Sequence, residues 1–393
     1  MPNLVRIAPG ALTIGKPLPW TVYDADGNVL LRQGYVIHND TQLEQLFERG
    51  RFKPRKIERP QEEENEDLRV RNPFSEYPAL LQTLESTINA IGERDESALK
   101  RVLSLSRIID QMCQEAPEAS LALVHLYSIE PTIHEQILFY AVLCQFTARR
   151  FGLDAKRTAV LISAALTANL ALVPVADKLN ASNRVLTDDQ RAVIRKHPER
   201  SIQALKDANI TSPLLLKIIA QHHEQADGSG YPQGLSGTDI RGEAEILALA
   251  ERYIAMITRR AYRDRMNVEE ARKLITSLAN GKFRPAIPRS LLSVLTDYPP
   301  GTLVRLANNE VAVVIRRPHR HRGPFAKAII GPRGNRYSSS VDRDCSLLEF
   351  NIRDVEQPEV MPSMDFGLLW GFRQENAAIS DRELQHDGPG DHQ

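Results

Sequence analysis

Two periods of apolar residues divide the chain. From about residue 78 to 282, apolar positions return every three or four residues, the spacing of one helix face. The runs ALLQTLESTINAI and ALKRVLSLSRIIDQM are the clearest, and 133–151 and 155–170 continue the pattern. Thr187 with Gln190 and Asn267 with Glu270 read as capping boxes. Ser212-Pro213 opens a helix with proline in its first turn, and Gly281 supplies a stop. After Tyr298-Pro299-Pro300-Gly301 the period drops to two. TLVRLANNEVAVVIRR alternates around an Asn308-Asn309 turn, and AKAIIGPRGNRYSS follows, which predicts a small β module at 298–350. The first 55 residues also predict short strands, with a turn at Asp24–Asn28. DTQLEQLFERG then reads as a short helix, capped by Asp40 or Thr41 and ended by Gly50. The expected fold is mainly α: a helical bundle at 73–290, flanked by a small N-terminal α/β module at 1–55 and the C-terminal β module.

Length and charge narrow the picture. A chain of 393 residues has room for two or three domains. Fifty basic residues balance fifty acidic ones, which excludes a surface coated in positive charge to hold nucleic acid. RPQEEENEDLR, within 56–72, repels itself and has no face to bury, so it reads as a solvated linker. The polar stretch 373–393 reads as a disordered tail. The basic run RRPHRHRG at 316–323 has no interleaved aromatics to stack bases and reads as a solvated hairpin loop. Cys113, Cys144 and Cys345 are odd in number and form no CxxC pair, which fits buried thiols in a reducing cytoplasm. No signal peptide is evident in the first residues. The uncharged stretch from Thr158 to Ala176 is long enough to span a membrane, but its Ser163, Asn169 and Pro174 favour a buried core helix.

The chemistry concentrates at 222–237, HHEQADGSGYPQGLSG: two adjacent histidines at a predicted helix end, a carboxylate, a glycine-rich turn and Tyr231-Pro232. This segment resembles the HD-GYP signature HHExxDGSGYPxGLxG. The His197-Pro198 step and the run ILALAERYIAMITRRAYR extend the resemblance over about 120–280. The resemblance implies a helical bundle of metal-dependent phosphodiesterases acting on cyclic di-GMP. In such sites metal ions lower the pKa of a bridging water and polarise phosphoryl oxygens. It also implies that His197, His222, His223 and Glu251 stand at metal-ligand positions. The name-giving His-Asp pair is missing: Ala168 and Asn169 occupy its place in AALTANLAL, and Leu172 stands where the family has lysine. Another ligand position falls near Gln136, and Glu251 stands where the family usually has aspartate.

The four survivors suit no more than one weakly held divalent ion, iron or manganese, and no tightly bound cofactor is expected. The loop Glu224, Asp227, Gly228, Ser229, Gly230, Tyr231 and Pro232 is intact. In the family it is implicated in contacts with GGDEF-domain proteins, the synthases of cyclic di-GMP. Arg260 and Arg263 are expected beside the pocket as phosphate ligands. The expected function is therefore a non-catalytic binding or scaffolding protein in cyclic di-GMP signalling. A phosphodiesterase with an altered ligand set and a cyclic-dinucleotide sensor are the alternatives.

Overall fold

The computed structural model describes residues 4–7, 12–52, 71–176, 187–259, 263–319, 322–362 and 364–372. Most of the acidic linker, the polar tail and Arg260 lie outside the described residues.

In the N-terminal module, strands β1 (Val5–Arg6), β2 (Val22–Tyr23), β3 (Val29–Leu31) and β4 (Arg51–Phe52) form an antiparallel sheet in the order β1-β4-β2-β3. Helix α1 (Asp40–Arg49) lays Leu43, Leu46 and Phe47 into a small core with Val22, Ile37 and Phe52. Asn39 caps α1, in place of the expected Asp40 or Thr41: its side chain accepts from the Gln42 N–H at 2.8 Å. Asn39 has the extended backbone that a cap requires, whereas Asp40 already lies within the helix.

The bundle comprises α2 (Pro73–Gly92), α3 (Ala98–Glu115), α4 (Pro117–Leu126), α5 (Ile133–Phe151), α6 (Ala155–Thr167), α7 (Asp188–Asp207), α8 (Pro213–Gln221), α9 (Gly242–Ile257), α10 (Val268–Leu278) and α11 (Ala286–Leu295). Helix α5 is buried nearly all round, packed against α3, α6, α9 and α11, which accounts for its run of apolar residues. The capping boxes at Thr187 and Asn267 both form. The uncharged stretch 158–176 begins in α6, which packs against α3, α5 and α8. By length and composition it could cross a membrane, but 61% of its apolar window is buried inside the protein, so its apolar character is that of a core helix.

The C-terminal sheet runs β8 (Arg336–Asp344), β7 (Phe325–Ile330), β6 (Val311–Arg316), β5 (Leu303–Leu306), β9 (Ile352–Val355), all antiparallel. Strand β9 lies beyond the expected limit of 350, because the chain returns through a 3-10 turn to pair Val355 with Val304. Alternation splits the sheet's apolar residues between two cores. Leu303, Val311, Val313 and Ile329 join the helical core, while Val304, Leu306, Ala312, Val314 and Ala326 form a separate one. Arg317, expected in a solvated loop, instead docks the module: its guanidinium forks onto Glu118 at 2.8 and 3.0 Å and donates to the Val294 carbonyl at 3.1 Å. Helix α12 (Phe366–Leu369) then returns to α2, where Phe366 and Trp370 pack on Phe74.

Candidate metal and ligand site

Three helices meet where α7, α8 and α9 present His197, His222, His223 and Glu251. Local backbone geometry fixes the first two rings. Pro198 has no N–H, so the carbonyl of Ile194, four residues earlier, loses its helical partner. His197 Nδ1 takes that carbonyl at 2.6 Å. His222 caps the C-terminal end of α8, where carbonyls are again unpaired, and its Nδ1 takes the Ile219 carbonyl at 2.7 Å. A carbonyl oxygen cannot donate, so both Nδ1 atoms carry the hydrogen and both Nε2 atoms are left as lone pairs. These Nε2 atoms face each other at 3.2 Å. Two lone pairs at that distance repel unless a cation or proton lies between them. Backbone bonds of this kind also fix the tautomer of metal-binding histidines.

The rest of the cluster is close at hand. The three histidines each bring one ring nitrogen within 4.8 Å of the others. Glu251 Oε2 lies 3.9 Å from His222 Nε2. Burial pushes His197 and His222 down to about 4 and holds His223 well below the usual histidine value, so all three rings are neutral at neutral pH. Burial pushes Glu251 up to about 7. Neutral imidazoles with a carboxylate are a suitable donor set for one divalent transition metal.

Among the described residues, the positions expected to hold a second ion offer no ligand set for it. Ala168 is fully buried at the C-terminal end of α6 and offers only a methyl group. Leu172 follows in a 3-10 turn. Gln136 donates to the Pro131 carbonyl at 3.1 Å and accepts from Tyr140 Oη at 3.2 Å. Asn169 does reach the cluster, but as a donor: its Nδ2 gives a 2.6 Å hydrogen bond to Glu251 Oε1. An amide N–H therefore occupies one oxygen of the surviving carboxylate.

The glycine-rich loop is built around Glu224. This carboxylate is 1% exposed, and its two oxygens accept the Gln233 and Leu235 N–H groups at 2.7 and 3.0 Å. Gly230 passes so close to the loop's start that a Cβ there would lie 2.4 Å from Gln225 N and Glu224 Cα. Gly228 takes a positive φ of 78°. Asp227 is held by Lys282 at 2.6 Å and by Ser229 Oγ at 2.6 Å. Tyr231 is half-buried and turned inward, stacked on His223 with centroids 4.8 Å apart. Pro232 faces solvent.

The expected interaction loop thus divides into inward residues, Glu224 and Tyr231, and outward ones, Asp227, Ser229 and Pro232. Arg263, expected as a phosphate ligand, instead donates to the Ala255 carbonyl of α9. One arginine not singled out from the sequence stacks at the rim of the cluster, and another directly follows Glu251. Arg195 lies over the Tyr231 ring, 4.9 Å from its centroid, and the charge of Arg252 opposes protonation of His223. Their signal was available: Arg195 precedes His197 by two residues, and Glu251-Arg252 is a charged pair after the apolar run 246–250.

Comparison with known proteins agrees with this geometry. Residues 100–287 match the HD domain family. The chain is similar to cyclic di-GMP phosphodiesterase PA4108 of Pseudomonas aeruginosa, 29% identical over 201 residues that cover 51% of this chain and 48% of the relative. It is also similar to cyclic di-GMP phosphodiesterase PdeB of Borreliella burgdorferi, 26% identical over 44% of this chain and 46% of the relative. The chain thus spans about half the length of these curated relatives. The solved structure of Bd1817, a HDG"Y"P protein from Bdellovibrio bacteriovorus, shares the fold, with a TM-score of 0.55 at 19% identity, covering 75% of this chain and 99% of that one. The matched region encloses the His197–Glu251 cluster and the loop built on Glu224, and together the family match and these relatives support an HD-GYP domain protein.

Proposed function

We propose that this HD-GYP domain acts in cyclic di-GMP signalling as a binding or scaffolding module, without hydrolysing the nucleotide. One observation carries the reading: Asn169 Nδ2 is hydrogen-bonded to Glu251 Oε1 at 2.6 Å, beside the fully buried Ala168. In-line displacement by two metals requires donors on both sides of a bridging water. Here one side has been rebuilt as an internal hydrogen bond. His197, His222, His223 and Glu251 would hold a single divalent ion, which supplies Lewis acidity and a more acidic bound water when present. The outward edge of the loop, with Pro232 and the Asp227–Ser229 turn, is a rigid surface suited to a protein partner, and GGDEF-domain proteins are the proposed class. Three buried thiols accord with a cytoplasmic setting.

A second reading, hydrolysis with a single ion, is favoured by the facing Nε2 lone pairs of His197 and His222. Metal analysis separates the two, followed by a cyclic di-GMP hydrolysis assay with added manganese or iron. At most one ion per chain and no linear product are expected. About two ions per chain with linear product would overturn the non-catalytic reading. For the binding surface, Pro232→Ala should weaken capture of GGDEF-domain proteins. Unchanged affinity for every interacting GGDEF protein would remove that role.

A further inference from the structure

Where the C-terminal sheet docks on the bundle, the two enclose a cavity of about 40 Å³, room for roughly three waters or one small ion. The bundle side of its wall includes Ser128, Arg265 and Val268, and the sheet side includes Thr302, Glu356 and Pro358. None of the histidine-cluster residues lines it. Arg265 is half-buried and donates to the Pro358 carbonyl at 2.5 Å, but it has no carboxylate partner among the described residues. Glu356, the one carboxylate among the lining residues, is committed to Arg305 at 2.5 Å. Val268 begins α10, so its N–H is among those a helix leaves unpaired, at the end where the helix dipole favours negative charge. The acidic residues of that turn, Glu269 and Glu270, do not line the cavity. Thr302 is 4% exposed, and its backbone N–H and carbonyl are paired with Pro299 and Val314. Its Oγ1 is shut off from water and has no hydrogen-bond partner among the described residues. A buried hydroxyl left unpaired costs stability, and so does a cation drawn out of water without an anion.

We propose that this cavity binds one small tetrahedral oxyanion, of the size of inorganic phosphate, between the Arg265 guanidinium, the Thr302 hydroxyl and the N-terminal end of α10. A guanidinium fork matches two oxygens of such an ion, and a hydroxyl donates to a third. The cavity is too small for a nucleoside, so the ion is bound free. Arg265 belongs to the bundle and Thr302 to the segment leading into β5, so the bound ion ties sheet to bundle. Binding requires neither a metal nor the histidine cluster.

The test is thermal unfolding of the full chain, followed by circular dichroism, in phosphate-free buffer with excess chelator. Inorganic phosphate is titrated against sodium chloride of equal ionic strength. Phosphate should raise the midpoint along a saturating curve, as a ligand specific for the folded chain does. A rise that never saturates is the general effect of an excluded salt and overturns the site. Arg265→Gln should weaken the apparent affinity by about 10- to 100-fold, the range for loss of a charge-assisted bond, and Arg265→Lys by less. Thr302→Val replaces the unpaired hydroxyl with a methyl group of similar shape. Without phosphate this variant should unfold at the wild-type temperature or above it, and in saturating phosphate it should fall below wild type. If Thr302→Val unfolds below wild type without phosphate, water already pairs the hydroxyl and the site is overturned. A saturating rise of equal affinity in both Arg265→Gln and Thr302→Val places the phosphate elsewhere and also overturns it. Should Arg265→Gln fail to fold, Thr302→Val carries the test. Adenosine monophosphate, too large for the cavity, should not stabilise the chain. Stabilisation by it that is lost in Arg265→Gln would overturn the assignment to a free ion.

Discussion

Glu224→Gln tests whether the loop is built from its own buried carboxylate. The wild-type side chain accepts two backbone N–H bonds, from Gln233 at 2.7 Å and Leu235 at 3.0 Å, and is 1% exposed. Glutamine keeps one acceptor oxygen and presents an NH2 to the other N–H. One bond falls from charged to neutral strength, and the second becomes a donor facing a donor. Bonds to charged groups contribute about 1.5–3 kcal/mol, and a stranded buried donor costs about 1–3 kcal/mol. The expected loss is about 3–5 kcal/mol if the loop must stay closed. With a urea slope of about 1–3 kcal/mol/M, the unfolding midpoint should fall by about 1 M or more. The loop has a cheaper route, which is to open locally while the bundle stays folded. Urea denaturation followed by circular dichroism should therefore be paired with hydrogen exchange at the Gln233 and Leu235 amides. A lowered midpoint or lost protection at both amides is expected. A variant with the wild-type midpoint and wild-type protection at both sites would refute the role given to Glu224.

Ala168→His with Asn169→Asp should raise manganese uptake, measured by mass spectrometry, without giving full turnover, because Leu172 and Gln136 remain unsuitable; turnover at the level of an intact family member would contradict this. The Arg343 guanidinium, with Tyr337 Oη, holds the Glu310 carboxyl down to about 2. Its contribution to stability is present above the ordinary carboxylate pKa and is lost as pH falls from about 4.5 toward 2, so Glu310→Gln should flatten that part of the stability–pH curve. A variant curve parallel to wild type across this window would show that Glu310 does not govern it. Arg317→Ala removes the fork on Glu118 and the bond to Val294, so proteolysis between α11 and β5 should accelerate. An unchanged cleavage rate would mean that the apolar contact alone docks the sheet.

The helices were legible wherever one face carried the pattern, as in α2 and α3, and the capping boxes at Thr187 and Asn267 could be read from residue type alone. Asn39 was missed because Asp40 and Thr41 are equally good caps by type, and only the backbone at 39 decides among them. His222 and His223 were legible through the loop signature, His197 and Glu251 through the flanking helical runs, and the structure brings the four together. What the sequence could not supply was direction. Nothing in one dimension says that Asn169 donates to Glu251, that Glu224 points inward to tie the loop, or that Arg263 turns to a carbonyl while Arg195 lies over Tyr231. Side-chain direction depends on how α6, α7, α8 and α9 converge, and no local pattern encodes that convergence. Arg317 illustrates the same limit, since its partner Glu118 lies far away in sequence.

The return of Phe366 and Trp370 onto Phe74 bears on how the protein is made. Roughly 300 residues separate the first helix of the bundle from the aromatic pair that covers it. A ribosome adding about 5–20 residues each second needs about 15–60 s to cross that distance. Throughout that interval the nascent bundle exposes the apolar end of α2, and for about the last 3–11 s of it the carbonyl of Ile315 waits for the Trp370 indole N–H that it accepts at 2.9 Å. Phe366 and Trp370 are therefore a late closing seal, and the emerging chain should rely on chaperone cover longer than its early, locally wound helices would suggest.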